Sequence, residues 1–226
     1  RFTTIECIIF RKECAKILFM LEKFKQAVYF QQISNFSKKY ANSKEYKKAL
    51  KILMGCYERG GVIYTMGCGG SASTATHFAA DIAKTTIIRN KKRFKAMGLV
   101  DNIPLVSAWT NDKGWGSVFS GQLEPWITKK DVLVGFSVHG GSGIGEAGPW
   151  SQNLVQAMSL AKKRKAKIIG FSGFDGGAMK KMADVCLLVP TNSEVYGTGL
   201  VEGFHGVIAH GLIFELKEII KNGSRK

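Results

Sequence analysis

Residues 62–85 read VIYTMGCGGSASTATHFAADIAKT. The apolar run Val62 to Met66 enters the glycine-rich turn Gly67-Cys68-Gly69-Gly70-Ser71, and Ala72 to Thr85 continues with helical spacing. A short apolar run, a glycine turn and a helical stretch spell a buried strand feeding a helix. The same order recurs at residues 131–164, where Asp131 to Val138 leads into a second glycine-rich loop and then a helix from Pro149 to Arg164. Repetition of this unit predicts a parallel sheet covered on both faces, because parallel strands need crossovers and bury both sides.

The rest of the chain fits around these two units. Residues 21–58 read as two helices: Leu21, Phe24, Ala27, Val28 and Ile33 recur at helical spacing, and Asn42-Ser43 offers a break before Leu50, Ile52, Leu53 and Tyr57. Phe94 to Val100 is a second apolar run, Ile103 to Trp109 fits neither period, and Trp115 to Ile127 reads as helix. Lys167 to Ser172 and Val185 to Pro190 read as strands around a short helix at Gly177 to Met182, and a long helix from about Thr198 to Ile220 closes the chain. About five strands result, in one unit over residues 21–226, with residues 1–20 as an appendage and Met20 as a candidate start.

The 226 residues include 33 Lys and Arg against 17 Asp and Glu, for a formal charge of +16. Such an excess suits nucleic acid, an anionic surface or a phosphorylated substrate. The basic residues are spread, however, in clusters at Lys38-Lys39, Lys44 to Lys51, Arg89 to Lys95 and Lys162 to Lys167, without a nucleic-acid-binding motif. Solvated faces are the better reading, and nucleic acid is not expected as a partner. No apolar run approaches the ~20 residues of a membrane span. Cys7, Cys14, Cys56, Cys68 and Cys186 form no paired spacing, which suits a reducing cytoplasm.

Chemistry concentrates at two strand ends and on two helices. Glycine loops between strand and helix let backbone N–H groups converge on an anion, and serine hydroxyls add donors. Gly69, Gly70 and Ser71 in the first loop and Ser137, His139 and Ser142 in the second are therefore candidate phosphate or sugar contacts. Neither loop carries the Lys of a nucleotide-binding P-loop. His77 and Asp81 lie four residues apart on one predicted helix, and Glu202, His205 and His210 interrupt an apolar helix near the end. Such polar groups are either satisfied core residues or, if the helices meet, a metal site or an acid–base pair. Spacing alone leaves both open.

The stretches GCGGSASTATHFAADIA, AWTNDKGWGSVFSGQL, VLVGFSVHGGSG, GFSGFDGGAMKKMADVCLLVP and VEGFHGVIAHGLIFEL resemble, in order, the motifs of the phosphoheptose isomerases, members of the sugar isomerase (SIS) superfamily. The resemblance runs from about residue 22 to 220. It implies a three-layer α/β fold of the flavodoxin-like or Rossmann-like kind, with a five-stranded parallel sheet between helices. It also implies a homo-oligomer, as a tetramer, with sites at subunit interfaces. Ser71, Ser137 and Ser142 would bind phosphate, Asn111 and Asp112 would lie near the sugar, and zinc would be held by His77, Asp81, Glu202 and His210.

Ketose–aldose isomerisation needs a base for a C–H proton, an acid for oxygen, and positive charge for the enediolate. Asp81 is assigned as base and His210 as acid, with Glu202 as an alternative base and zinc as Lewis acid. Several positions depart from the pattern: Asp81 stands for a glutamate, Glu202 for a glutamine, Cys68 for an asparagine, Gly199 for an aspartate, and His139-Gly140-Gly141 for Ser-Gly-Asn. Ile144 to Trp150 reads as an insertion. The alternative function is a non-catalytic regulator that binds a phosphosugar or another protein.

Overall fold

A computed structural model describes residues 26–40, 43–141 and 151–223, together with Lys12, Cys14 and Lys16 in a preceding helical stretch. The remainder of the 1–20 appendage, the candidates Leu21 and Phe24, Ser142 and the insertion Ile144 to Trp150 lie outside the described residues.

Two helices lead: α1 (Gln26–Tyr40) and α2 (Lys44–Arg59). Ser43 caps α2 by accepting from the Tyr46 N–H at 3.1 Å, and Gly60, at φ 68°, closes it. Then β1 (Val62–Met66), α3 (Gly70–Lys84), β2 (Lys95–Gly98) and α4 (Ile103–Lys113) follow. A 3₁₀ turn at Trp115–Ser117 opens into the short α5 (Val118–Leu123), and β3 (Val132–Phe136) and α6 (Gln152–Lys163) come next. The chain ends with β4 (Lys167–Gly173), α7 (Gly177–Met182), β5 (Val185–Val189) and α8 (Gly197–Asn222).

All five strands are parallel, in the order β2-β1-β3-β4-β5. The pleat alternates between two apolar layers. Ile63, Val132, Val134, Phe136, Ile169 and Phe171 face α1, α2, α3 and α8, where they meet Leu53, Phe78, Phe204 and Leu212. Tyr64, Met66, Leu133 and Ile168 face the other way, onto Phe119, Leu154 and Met179. Helices on both faces of one parallel sheet give the three layers.

Asp131 ties the strand beginnings together. Its buried carboxylate accepts from the Val62 N–H at 2.7 Å, the Thr128 N–H at 2.6 Å and the Thr128 hydroxyl at 2.8 Å. At the other end the chain leaves β1 in one direction and β3 in the opposite one. The loops after these two adjacent strands thus flank the switch point, where ligands of open α/β sheets bind.

Two expectations need correction. Residues 103–109, without a readable period, are helical: Asn102 caps the Leu105 N–H at 3.1 Å and Pro104 sits in the first turn. No residue of α4 is buried, so its sequence carries no apolar stripe to read. The expected helix Trp115 to Ile127 is split and shorter, because Pro125 lacks the N–H needed to continue it. No helix among the described residues is long and apolar enough to cross a membrane.

His205 is a core histidine. It is 1% exposed, packs edge-on against Phe136 and Phe171, and places Nε2 3.2 Å from the Ser172 carbonyl oxygen. Burial pushes its pKa down to about 4, against the opposing pull of that carbonyl. An unfolded imidazole takes a proton below about 6.5, so between these values the unfolded chain holds more protons and acid favours unfolding. Above that window both states are neutral and the contribution is constant. Denaturant unfolding should lose up to about 1.4 kcal/mol per pH unit as pH falls through this window, and His205→Gln should flatten that slope. An equal slope in the variant refutes the assignment.

Candidate active site

Helices α3 and α8 lie side by side on one face of the sheet, each buried along an apolar stripe. On α3 the stripe is Ala75, Phe78, Ala79 and Ile82; on α8 it runs through Leu200, Val201, Phe204, Ile208 and Leu212. His77 and Asp81 flank the first stripe and His210 the second, so packing of the stripes brings the polar groups together.

Asp81 Oδ2 stands 3.4 Å from His77 Nε2 and 3.6 Å from His210 Nε2. The two rings are 5.1 Å apart at 78°. Oδ1 of the same carboxylate accepts from the Thr85 hydroxyl at 2.9 Å, which leaves Oδ2 toward the histidines. The His77 and His210 side chains are 62% and 48% exposed, and Asp81 21%, so the group opens to the surface.

One ligand atom from each of His77, Asp81 and His210 lies within 4.8 Å of the others. Two imidazoles and a carboxylate are the donor set zinc takes at catalytic sites, with a fourth position open. Donors about 2.0–2.2 Å from a tetrahedral zinc stand about 3.4 Å apart, close to the two separations measured here. The residues present therefore fit the ion. Glu202, expected as a fourth ligand, is not in this group. It stands eight residues earlier on α8, about 12 Å along the helix, with its carboxylate against Gly70.

The loop residues gather elsewhere. Gly69 and Gly70 open α3, and Ser71 is buried in its first turn. They precede His77 by some two turns, so the first loop and the histidine–carboxylate group are separate places on one helix. In the second loop, Ser137 Oγ accepts from the Gly140 N–H at 3.1 Å, and the half-buried His139 ring stacks on Phe174 at 4.4 Å. Gly140 has φ 71°, and a Cβ there would meet the Gly176 carbonyl oxygen, which pins this loop to the start of α7. Asn111 and Asp112 sit on the exposed last turn of α4, hydrogen-bonded to each other at 2.9 Å.

Two contacts were not legible beforehand. Thr85 orients Asp81, and only its four-residue spacing hints at this. The fully buried Asn153 donates to Cys68 Sγ at 3.2 Å, joining the first loop to the start of α6. Burial pushes the Cys68 thiol up, partly offset by that donation, so it stays a neutral thiol. A cavity of about 650 Å³ lies away from these residues, beside β5 between Tyr40, Lys48 and Lys180.

A family model for the SIS domain matches residues 28–173. The lincomycin biosynthesis protein LmbN of Streptomyces lincolnensis is 44% identical over 162 residues, or 72% of this chain and 58% of that protein, so the match spans little more than half its length. Phosphoheptose isomerase 1 of Campylobacter jejuni is 36% identical over 168 residues, 73% of this chain and 81% of the relative. The solved structure of phosphoheptose isomerase GmhA from Neisseria gonorrhoeae matches with a TM-score of 0.71 at 25% identity, over 92% of this chain and 98% of its own. The chain belongs to the SIS-domain family and, within it, to the phosphoheptose isomerases.

Zinc titration checks the donor group directly. His77→Ala, Asp81→Ala and His210→Ala should each weaken zinc by at least about 100-fold, and Thr85→Val, which frees Asp81 to turn, by about 10–100-fold. Unchanged affinity in all four rules the group out.

Proposed function

We propose that this chain interconverts a ketose phosphate and its aldose phosphate, with a sedoheptulose 7-phosphate-like sugar as substrate. The observation that carries this is one carboxylate oxygen, Asp81 Oδ2, facing imidazoles from two helices. Asp81 takes the proton from the carbon next to the carbonyl, and His210 delivers a proton to the carbonyl oxygen, giving the enediol. Return of a proton to the former carbonyl carbon, with loss of the neighbouring hydroxyl proton, completes the aldose. Thr85 keeps the carboxylate from turning away between steps. Where zinc is held by His77, Asp81 and His210, it would supply Lewis-acid polarisation of the carbonyl in place of the proton from His210.

The separation of loops from the acid–base group suits such a substrate, whose phosphate is carried at the far end of the carbon chain. On this reading Ser71, Ser137, His139 and Ser142 serve the sugar and phosphate, with Asn111 and Asp112 at the margin. The surplus of positive charge draws anionic sugars toward the protein. A homo-oligomer, as a tetramer, is supported by the exposed Ile103 and Leu105 on α4 and Val207 and Phe214 on α8. The free thiols of Cys14, Cys56, Cys68 and Cys186 suit the cytoplasm.

A second reading, a phosphosugar-binding or protein-binding regulator without turnover, draws on the open position of the histidines and on the stacking of His139. A panel of five- to seven-carbon sugar phosphates, assayed with zinc present, separates the two. We expect turnover with at least one, reduced about 10²–10⁴-fold in Asp81→Asn and in His210→Gln. Binding without turnover across the panel overturns the isomerase and leaves the regulator.

A further inference from the structure

A second concentration of positive charge lies apart from the histidine–carboxylate group, at the edge of the sheet. β5 is the last strand, with β3 and β4 between it and β1. Beside it the cavity of about 650 Å³ takes Lys39 from the end of α1, Lys44 and Lys48 from the start of α2 and Lys180 from α7. Tyr40, Val185 and Leu188 give it a largely apolar floor, fastened where the Tyr40 hydroxyl donates to the Leu188 carbonyl oxygen at 2.8 Å. Burial pushes the Tyr40 phenol and the neighbouring Cys186 thiol up, so both stay neutral and add no negative charge to the floor.

The carboxylates in the wall are already engaged. Asp184 accepts from Lys167 at 2.6 Å and from the Ile168 N–H at 2.9 Å, and Glu45 accepts from the Ser43 hydroxyl at 2.9 Å. Among the described residues none of the four cavity lysines makes an ion pair. Two of them also stand against local preference. Lys44 opens α2 at its positive end, where acids are favoured, and Lys48 follows four residues on, a like charge on the same face. Departures from local rules of this kind are expected at functional sites.

We infer that this cavity is a second anion site, for the diphosphate group of a nucleoside diphosphate or of inorganic diphosphate. Lysine offers phosphate oxygens a compact point charge, and ammonium groups arriving from three helices surround two linked phosphoryl groups better than one. A volume within the ~300–1,000 Å³ of small-molecule pockets leaves the floor free for an organic group. The site is independent of the phosphosugar reading above.

The test titrates phosphate, inorganic diphosphate and adenosine diphosphate calorimetrically into the full chain, at fixed ionic strength and without divalent metal. Backbone amide shifts report where each binds. At least one diphosphate should bind at least about fivefold more tightly than phosphate, with shifts centred on residues 43–48 and 180–188. Lys48→Gln combined with Lys180→Gln should weaken it at least about fivefold. Lys91→Gln combined with Lys95→Gln removes equal charge at the opposite, β2 edge of the sheet, beyond the ~8–10 Å reach of unscreened charge, and should change affinity less than about twofold. Adenosine diphosphate binding more tightly than inorganic diphosphate assigns the floor to a nucleoside; equal or weaker binding assigns the site to the inorganic chain. The inference is overturned if neither diphosphate binds, if phosphate binds as tightly, if the Lys48 and Lys180 changes cost no more than the control pair, or if the shifts fall on the glycine loops instead. No arm depends on turnover, so this site and the isomerase stand or fall separately.

Discussion

The geometry depends on the packing of α3 against α8. Neither helix holds more than part of the polar group, and the His77 and His210 side chains are too exposed to be placed by their own burial. Their positions are set from beneath, by Phe78 and Ile82 on one side and Phe204, Ile208 and Leu212 on the other, which fill a common layer over the sheet. Close-packed interiors transmit small changes in volume. A shortened side chain in this layer would therefore move imidazole and carboxylate relative to each other without touching either. His205 belongs to that layer: it shares a helix with His210 but is fully enclosed and does structural work.

Much of this was legible in the chain, for identifiable reasons. Strand β1, Val62–Met66, and helix α7, Gly177–Met182, follow the pattern because glycine and apolar runs mark their ends sharply. Helix α4 did not, since none of its residues is fully buried and only Val106 and Trp109 lean on the core, too few to print a periodic stripe. Four-residue spacing placed His77 and Asp81 on one face, but pairing with His210 needed the crossing of two helices far apart in sequence. Resemblance named Glu202 beside His210 without placing it within the single chain. Sharing a helix with His210 puts it in the same column, while eight residues of helical rise carry it to the other end.

The two ends of that column differ in chemistry. One gathers two imidazoles around a single carboxylate; the other brings the Glu202 carboxylate up to Gly70. The Cys68–Asn153 contact bears on the same end, because it holds the first loop to a helix that leaves the second.

Asp131 lies at the opposite edge of the sheet from all of this, yet it sets a dimension there. By fixing where β1 and β3 begin, it fixes their stagger, and with both strands five residues long the stagger persists unchanged to their far ends. The relative height of the two glycine turns is thus set from the base, by one buried acid at the far end of the strands.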